Sequence, residues 1–493
     1  MHERRRLARK TPGSRASGSS PSSAHPRTPV ASPRERHQPQ DSVLYRVVRD
    51  HLDEFLRTAR EQHGGLPSFI EKTFRAYLKC GLPEFGFVHV KCESCGHDDI
   101  VAFSCKKRGL CPSCSARGMG DGAAHLVDHV LPNVPYRQWV VGYPFEYLRK
   151  LAFQPSLLAA VERIAADAVK TWMMARCGGG EAGGVLVRHR FGGSLNLHLH
   201  AHLLVMDGVY RRDADGGMVF EAAAPPQRAE LEELAGNIHG RIITLMQRRG
   251  LLAAGDGVNN EPPEVDTLAA CANVALSTGV RERSGPALAL VDDADVESSA
   301  GGVVAAVDGL NLYASPVMDG NNRKVLEKVC RYLLRGPLSL ARLKERPDGM
   351  LTYRMKKPDR RGNTLLVMTP LELLMRLSSL IPAPRHPTRK FFGILASGAK
   401  DRRRVVPKPT QRREKHAHPE TGTPGPPVAS PVKWADLLRR VWGLDALDCP
   451  RCHGRMTPIA VIENPEEVAR YLAHTGQLTV HRRARAPPLA DAA

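Results

Sequence analysis

No stretch of the 493 residues approaches the roughly 18 consecutive apolar residues that suggest a membrane-spanning helix. The basic N-terminus, MHERRRLARK, leads into serine, proline and glycine and not into the apolar core of a secretion signal. The sequence also contains no internal repeat and no glycine-rich loop of the kind that binds ATP. We therefore expect a cytoplasmic protein that has no membrane partner.

Acidic residues are in the minority. The chain has 71 lysines and arginines against 51 aspartates and glutamates, which gives a formal net charge of +20. A positive field of this size commonly serves to bind polyanions, and nucleic acid is the first candidate. The hydrophobic content of 42% permits sizeable cores, so most of the chain is expected to be globular.

Composition divides the chain into six segments. Between the tails and the linker, strand-like and helix-like patterns are mixed, which predicts an α+β fold whose antiparallel sheet carries a histidine strand with helices behind it. The predicted segments are a disordered basic tail (1–42), an N-terminal zinc-binding domain (43–135), a histidine-containing domain (136–400), a basic proline-rich linker (401–433), a small C-terminal domain with a Cys-x-x-Cys pair (434–476) and a disordered tail (477–493).

Two Cys-x-x-Cys pairs predict a structural zinc site. Cys92 and Cys95 precede Cys111 and Cys114 by a spacing that is typical of four-thiolate zinc sites. Each pair forms a turn whose two sulfurs face one tetrahedral ion, and Gly96 suits such a turn. In a reducing compartment, closely paired cysteines favour metal binding over disulfides.

A basic stretch accompanies a further cysteine between these pairs. Cys105 either replaces one of the four ligands or is a thiol on a basic loop that faces DNA. Because Lys106, Lys107 and Arg108 follow it directly, we interpret Cys105 as a non-ligand and the three basic residues as DNA-binding.

The other cysteines give weaker signals. Cys449 and Cys452 form a half-site, which predicts either no metal or a ligand borrowed from His474. Four cysteines without a nearby pair are expected to be small core residues, namely Cys80, Cys177, Cys271 and Cys330.

The stretch SLNLHLHAHLLVMDG contains three histidines that alternate with aliphatic residues. A period of two predicts a half-buried strand with His198, His200 and His202 on one face. Histidines two positions apart on a strand lie about 6.6 Å apart and can share one ion, whereas those four apart cannot easily do so. Either His198 with His200 or His200 with His202 would bind a metal. A row of solvent-facing histidines without metal remains the alternative.

One of the ten tyrosines lies on an amphipathic helical pattern. In KVLEKVCRYLLRGPLS, Tyr332 shares a stripe with Val325 and Val329, and Arg331 and Arg335 flank it with guanidinium groups that suit phosphate binding. Taken alone, a tyrosine on such a stripe is more often a core residue.

Together these stretches resemble the HUH-type rolling-circle transposases of the IS-ninety-one family. The resemblance runs from about residue 45 to about residue 476. It rests on CESCGHDDIVAFSCKKRGLCPSC, VPYRQWV, RFGGSLNLHLHAHLLVMDGVY, CRYLLRGP, FFGILA and DCPRCHGRM. Residues 136–400 are accordingly expected to form the HUH-type nuclease domain.

The resemblance assigns roles to individual residues. It places the ligands of the catalytic ion on His200 and His202, with a third ligand unidentified, and His198 departs from an expected asparagine. It places the nucleophile on Tyr332. Some members carry a second tyrosine four residues earlier, where this chain has Lys328, so the chain resembles a single-tyrosine variant.

The function implied by the resemblance is DNA transposition by single-strand nicking, with a covalent 5′-phosphotyrosine intermediate. The implied cofactors are structural Zn²⁺ and a catalytic Mg²⁺ or Mn²⁺. The implied partners are single-stranded element ends, target DNA and host replication or helicase proteins, while the oligomeric state stays undetermined. The alternatives are a non-catalytic zinc-ribbon DNA-binding protein, and a plasmid relaxase or replication initiator that uses the same chemistry.

Overall fold

The computed structural model describes residues 38–107, 109–252, 267–277, 279–282, 301–356, 358–359, 361–408 and 447–475. Most of the predicted disordered tails, most of the proline-rich linker and Arg108 lie outside these ranges. The helices are α1 (Val43–His63), α2 (Ser68–Tyr77), α3 (Pro112–His129), α4 (Phe145–Phe153), α5 (Pro155–Arg176), α6 (Arg228–Arg248), α7 (Thr267–Leu276), α8 (Arg323–Leu333), α9 (Pro370–Leu380), α10 (Arg402–Val405) and α11 (Pro465–His474).

The strands form antiparallel sheets, as the sequence predicts. They are β1 (Phe87–Cys92), β2 (Asp98–Ala102), β3 (Tyr136–Gly142), β4 (Gly183–Phe191), β5 (Leu197–Met206), β6 (Gly208–Arg212), β7 (Met218–Ala222), β8 (Val280–Glu282), β9 (Val303–Val307), β10 (Leu310–Ala314), β11 (Leu343–Glu345), β12 (Leu351–Arg354), β13 (Leu365–Met368), β14 (Arg389–Gly393) and β15 (Met456–Ile462). The prediction of an α+β fold is confirmed.

The histidine strand β5 lies at the centre of a six-stranded sheet with the order β14-β4-β5-β3-β10-β9. On one face, Leu199, Ala201 and Leu203 are fully buried in a core built with α4, α5, α6 and α7. On the other face, Leu204 and Met206 pack against α3 and α8. The alternation of β5 thus separates an apolar face from a face that carries the histidines, and α8 covers part of the latter.

The described part of the predicted C-terminal domain does not form a sheet of its own. Strand β15 pairs antiparallel with β1, and β1 pairs with β2, in a three-stranded sheet that belongs to the N-terminal zinc-binding region. The edge of β1 thus gains hydrogen bonds from a strand that is distant in the sequence.

The start of the predicted linker (401–408) and the end of the predicted N-terminal tail (38–42) lie within the described residues. Arg402–Val405 is helical, and the Arg402 guanidinium donates a 3.0 Å hydrogen bond to the carbonyl oxygen of Leu395. Ser42 caps α1 by accepting a hydrogen bond from the backbone N–H of Tyr45 at 3.2 Å. Among the described residues, no helix is both long enough and apolar enough to cross a membrane.

Candidate metal centre and nucleophile site

Strands β4 and β5 bring a third histidine to the predicted pair. The antiparallel register places His189 directly opposite His200, and Val187 opposite His202. Residues directly opposite one another in an antiparallel pair project from the same face of the sheet. His189, His200 and His202 therefore form one cluster, the histidine triad, whose ligand nitrogens all lie within 4.8 Å of one another.

The donor set of the triad fits a metal ion. Two nitrogens that each lie about 2.1 Å from one ion are at most about 4.2 Å apart, and a small rotation of the rings closes the difference. His189 Nδ1 and His202 Nε2 are buried and have no hydrogen-bond partner among the described residues. Buried polar atoms are seldom left without a partner, so two such nitrogens in one cluster indicate a ligand site.

Hydrogen bonds from outside the triad fix the orientation of two rings. His189 Nε2–H donates to the carbonyl oxygen of Leu333 at 2.7 Å, which leaves Nδ1 as the lone-pair nitrogen. The side-chain amide of Gln138 lies 2.9 Å from His202 Nδ1. The amide nitrogen donates to Nδ1 in this orientation. An amide turned by about 180° would accept from Nδ1–H and leave the Nε2 lone pair for a metal, and such outer contacts are typical of metal-binding histidines.

The surroundings keep the three imidazoles neutral. Burial lowers the pKa of His200 to about 3, and neighbouring cationic groups act in the same direction. Burial also holds the pKa values of His189 and His202 well below the ordinary value. Since only a neutral imidazole has a lone pair to donate, all three rings are in the form that binds a metal at neutral pH.

His198 lies outside the triad, on the exposed part of β5. Its Nδ1 is 3.0 Å from Nδ1 of His200. Of the two pairs that the strand pattern left open, the structure groups His200 with His202. His189 was missed by the sequence reasoning, although a hairpin between VLVRHRF and the histidine strand would have placed it opposite His200.

Tyr332 lies on α8 beside the triad. Its ring is 6% exposed, and its centroid is 6.1 Å from that of His202, with the two rings perpendicular. The predicted stripe is partly wrong, because Val325 is 45% exposed and the buried residues of α8 besides Tyr332 include Leu326 and Val329. The C-terminal end of this helix also supplies the Leu333 carbonyl that receives the His189 hydrogen bond.

Cationic groups surround the Tyr332 ring. The guanidinium carbon of Arg335 lies 3.8 Å from the ring centroid, and Nζ of Lys356 lies 5.7 Å from it. Both side chains line a cavity of about 980 Å³ that also contains His198, His200 and His202. Tyr332 is not among the lining residues, whereas Arg335, whose guanidinium lies over the Tyr332 ring, is one of them.

The cavity has the composition of a nucleic-acid site. Arg335 and Lys356 supply positive charge, while Arg281 is paired at 3.3 Å with Asp359, which also lines the cavity. Phe191 and Tyr313 supply aromatic faces on which bases can stack. Arg342 also lines it, but its guanidinium donates to the carbonyl oxygens of Gly193 and Arg354, each at 2.6 Å. The Arg342 contacts therefore support the wall of the cavity.

The predicted DNA-binding residues fall at different places. Arg335 lines the cavity, whereas Arg331, one turn earlier on α8, does not. Lys106 is exposed, and the backbone N–H of Lys107 donates to the sulfur of Cys105 at 3.4 Å. These two lysines thus lie at a cluster of thiols and not in the lining of the cavity.

Two four-thiol clusters replace the single one predicted from spacing. The first joins Cys80, Cys105, Cys111 and Cys114, and the second joins Cys92, Cys95, Cys449 and Cys452. In the first cluster, Sγ–Sγ distances of 3.6 to 3.7 Å match the about 3.8 Å between sulfurs around a tetrahedral zinc ion.

Several cysteine predictions are therefore corrected. The pairs at Cys92 and Cys111 belong to different clusters, and β2 lies between them in the chain. Cys105 and Cys80 are cluster members and not a loop thiol and a core residue. The four cysteines of the first cluster come from the turn after α2, the loop after β2 and the start of α3. Sequence spacing does not predict that these places meet.

Comparison with known proteins finds a match for the region of the first thiol cluster and another for the region of the histidine triad. A family described as "Transposase zinc-binding domain" matches residues 47–142, and a family described as "Putative transposase" matches residues 183–403. The first match contains all four cysteines of the first cluster. The second contains the histidine triad and Tyr332.

A curated relative agrees with these matches. The chain is 24% identical to "Putative transposase y4qJ" of Sinorhizobium fredii over 428 residues, which are 84% of this chain and 95% of that protein. No solved structure is significantly similar. The chain is therefore similar to putative transposases over residues 183–403 and to a transposase zinc-binding domain over residues 47–142.

Proposed function

We propose that this chain is a transposase that nicks single-stranded DNA with Tyr332 as the nucleophile. The observation that carries the proposal is the position of the Tyr332 ring, 6.1 Å from His202 and 3.8 Å from the guanidinium of Arg335. The histidine triad, the Tyr332 ring and the Arg335 guanidinium thus lie next to one another. This arrangement supports phosphoryl transfer.

The reaction is an in-line displacement at phosphorus. The Tyr332 oxygen forms a bond to the phosphorus atom, the bond from phosphorus to the 3′ oxygen breaks, and the phenol proton leaves while the 3′ oxygen becomes a hydroxyl. The product is a 5′-phosphotyrosine and a free 3′-hydroxyl. An ordinary phenol has a pKa near 10 and is only about 0.1% ionised at pH 7, so the site must promote loss of this proton.

The histidine triad is proposed to hold the catalytic ion. Mg²⁺ or Mn²⁺ bound by His189, His200 and His202 would polarise the scissile phosphate. The Leu333 carbonyl keeps His189 in its ligand orientation. The Gln138 amide would do the same for His202 once its oxygen faces Nδ1. His189, which the sequence reasoning had not identified, would be the missing third ligand.

Arg335 and Lys356 are proposed to bind the substrate. Their cationic groups can approach the non-bridging oxygens of a phosphate that enters the cavity. Because Arg335 covers the Tyr332 ring, we expect its guanidinium to swing onto the phosphate when the strand binds. Arg331 is outside the cavity lining, and Lys106 and Lys107 would contact DNA elsewhere, so removing any of them is expected to have smaller effects on cleavage.

The first thiol cluster is proposed to be a structural zinc site formed by Cys80, Cys105, Cys111 and Cys114. Strand separation during transposition is proposed to depend on host replication or helicase proteins, since the sequence has no ATP-binding glycine-rich loop. With Lys328 one turn before Tyr332, one protomer holds a single covalent strand through α8. Water, a released 3′-hydroxyl or a second protomer would resolve it.

The test is formation of a covalent adduct with single-stranded element ends. Wild-type protein should yield an adduct that persists in denaturant, with a nucleotide attached to the peptide that contains CRYLLR. Tyr332→Phe keeps the ring and should abolish both cleavage and adduct while it leaves DNA binding intact. Tyr210→Phe is the matched control, because Tyr210 is buried in the same apolar cluster. Undiminished cleavage by Tyr332→Phe, or a nucleotide on another tyrosine, would overturn the assignment.

A further inference from the structure

The second thiol cluster joins cysteines that are far apart in the chain. Sγ of Cys92 is 3.5 Å from Sγ of Cys452, and Sγ of Cys95 is 3.7 Å from Sγ of Cys449, across separations of 360 and 354 residues. These distances match the about 3.8 Å between sulfurs around tetrahedral zinc. They are far longer than the about 2.05 Å of a disulfide.

The two halves of this cluster have the same local fold. In each Cys-x-x-Cys turn, the residue after the second cysteine donates its backbone N–H to the carbonyl oxygen of the first, Gly96 to Cys92 at 3.0 Å and His453 to Cys449 at 2.9 Å. Both donors have positive φ, +72° at Gly96 and +57° at His453. His453 adopts a conformation that is uncommon outside glycine, and the packing around this turn must therefore hold it there.

The remainder of the C-terminal segment packs on the same small region. Strand β15 pairs with β1 in a register that places Met456 opposite Cys92. From α11, Val468 and Leu472 bury themselves against Phe87 and Ile100. The contacts thus run along the whole described segment, from the cysteines to the last helix.

The apolar core of this unit is too small to hold it together. It consists of Phe87, Ile100, Val468 and Leu472 at one end and Val90 and Met456 beside Cys92 and Cys449 at the other. Units of about 40 residues or fewer generally need a metal, disulfides or oligomerisation to fold stably. A closed four-thiolate zinc site supplies folding free energy directly.

We propose that Cys92, Cys95, Cys449 and Cys452 bind a second structural zinc ion, which fastens residues 447–475 to the N-terminal domain. Neither matching family includes residues 447–475. The site is separate from the first thiol cluster, and it does not depend on the proposed nicking reaction. Removing the ion should release β15 and α11 from β1 and β2.

Zinc content by native mass spectrometry tests the stoichiometry in the reduced full-length chain. Cys449→Ser with Cys452→Ser should hold one zinc fewer than wild type, and Cys80→Ser with Cys105→Ser should also lose one. The four substitutions together should lose two. Cys177→Ser is the matched control and should lose none, because Cys177 belongs to neither cluster.

Hydrogen–deuterium exchange tests the fastening. Exchange at Met456–Ile462 should rise strongly in Cys449→Ser with Cys452→Ser and stay near wild type in Cys177→Ser. Cys452→His offers another zinc ligand and should retain both the zinc and the protection of β15. An unchanged zinc count in the double variant, unchanged exchange at β15, or disulfides found at these four positions in protein purified under reducing conditions would overturn the proposal.

Discussion

His189 donates a hydrogen bond of 2.7 Å from Nε2 to the backbone carbonyl oxygen of Leu333, the residue that follows Tyr332. The contact joins the central sheet to the end of α8. A hydrogen bond therefore links one member of the histidine triad directly to the helix of the proposed nucleophile. Any shift of α8 against the sheet would break it. The distance between the triad and Tyr332 is therefore built into the packing of the fold.

Alanine substitutions should separate the triad from the fourth histidine. His189→Ala, His200→Ala and His202→Ala should each reduce nicking of single-stranded DNA by at least about 100-fold, because each removes one of three nitrogens from the metal. His198→Ala should retain substantial activity, since His198 lies outside the cluster. Activity assays with Mg²⁺ and Mn²⁺, combined with Mn²⁺ binding measurements, check this ordering. A fully active His189→Ala protein would show that the third ligand lies elsewhere.

Gln138→Ala should weaken metal binding without removing a ligand. The Gln138 amide orients His202 from 2.9 Å, and loss of such an outer contact typically costs about 10–100-fold in metal affinity. Mn²⁺ titration should show the weaker affinity, and excess Mn²⁺ should restore much of the activity. Gln247→Ala, which removes an exposed amide from α6, is the control and should leave both quantities unchanged. A Gln138→Ala protein with wild-type affinity would rule out the positioning role.

The first thiol cluster predicts that substitutions of Cys80 and Cys114, which are far apart in the sequence, have the same effect. Cys80→Ser and Cys114→Ser should lose the same zinc ion and destabilise the N-terminal domain to a similar degree, because both sulfurs belong to one cluster and lie 3.7 Å apart. Zinc analysis of the reduced protein and thermal unfolding are the measurements. If Cys80→Ser behaves like Cys177→Ser, the cluster is not a zinc site that includes Cys80.

The buried ion pair between Arg137 and Asp207 should contribute strongly to the stability of the fold. Arg137 on β3 makes two hydrogen bonds to the carboxylate of Asp207, at 2.9 and 2.7 Å, and both side chains are 5% exposed. Asp207→Ala leaves a buried guanidinium without its counter-charge, which should lower the free energy of unfolding by about 3–5 kcal/mol. Urea denaturation measures the loss. Asp215→Ala, in an exposed turn, should change stability by less than about 0.5 kcal/mol.

Local patterns in the sequence were sufficient to predict the secondary structure that depends on neighbouring residues. The alternation around His200 and His202 predicts the strand, because side chains on a strand point to opposite faces with a fixed period of two. The helical spacing around Tyr332 predicts α8 for the same kind of reason. The mixed patterns of residues 136–400 predict an α+β fold, which is confirmed. The quoted motifs point to transposases, and the comparisons support that resemblance.

Only the tertiary structure decided which distant side chains meet. His189 joins the triad through the register of β4 against β5, and a pattern within one strand does not determine its register with another. The spacing of Cys92, Cys95, Cys111 and Cys114 suggested one zinc site. Because all cysteine thiols are chemically alike, spacing does not determine which of them share an ion. Pairing of β1 with β15 brings Cys449 and Cys452 to Cys92 and Cys95, and the turn after α2 brings Cys80 to Cys114. Metal-ligand sets depend on distances in space, and chain folding can make residues that are hundreds of positions apart closer than those that are fifteen apart.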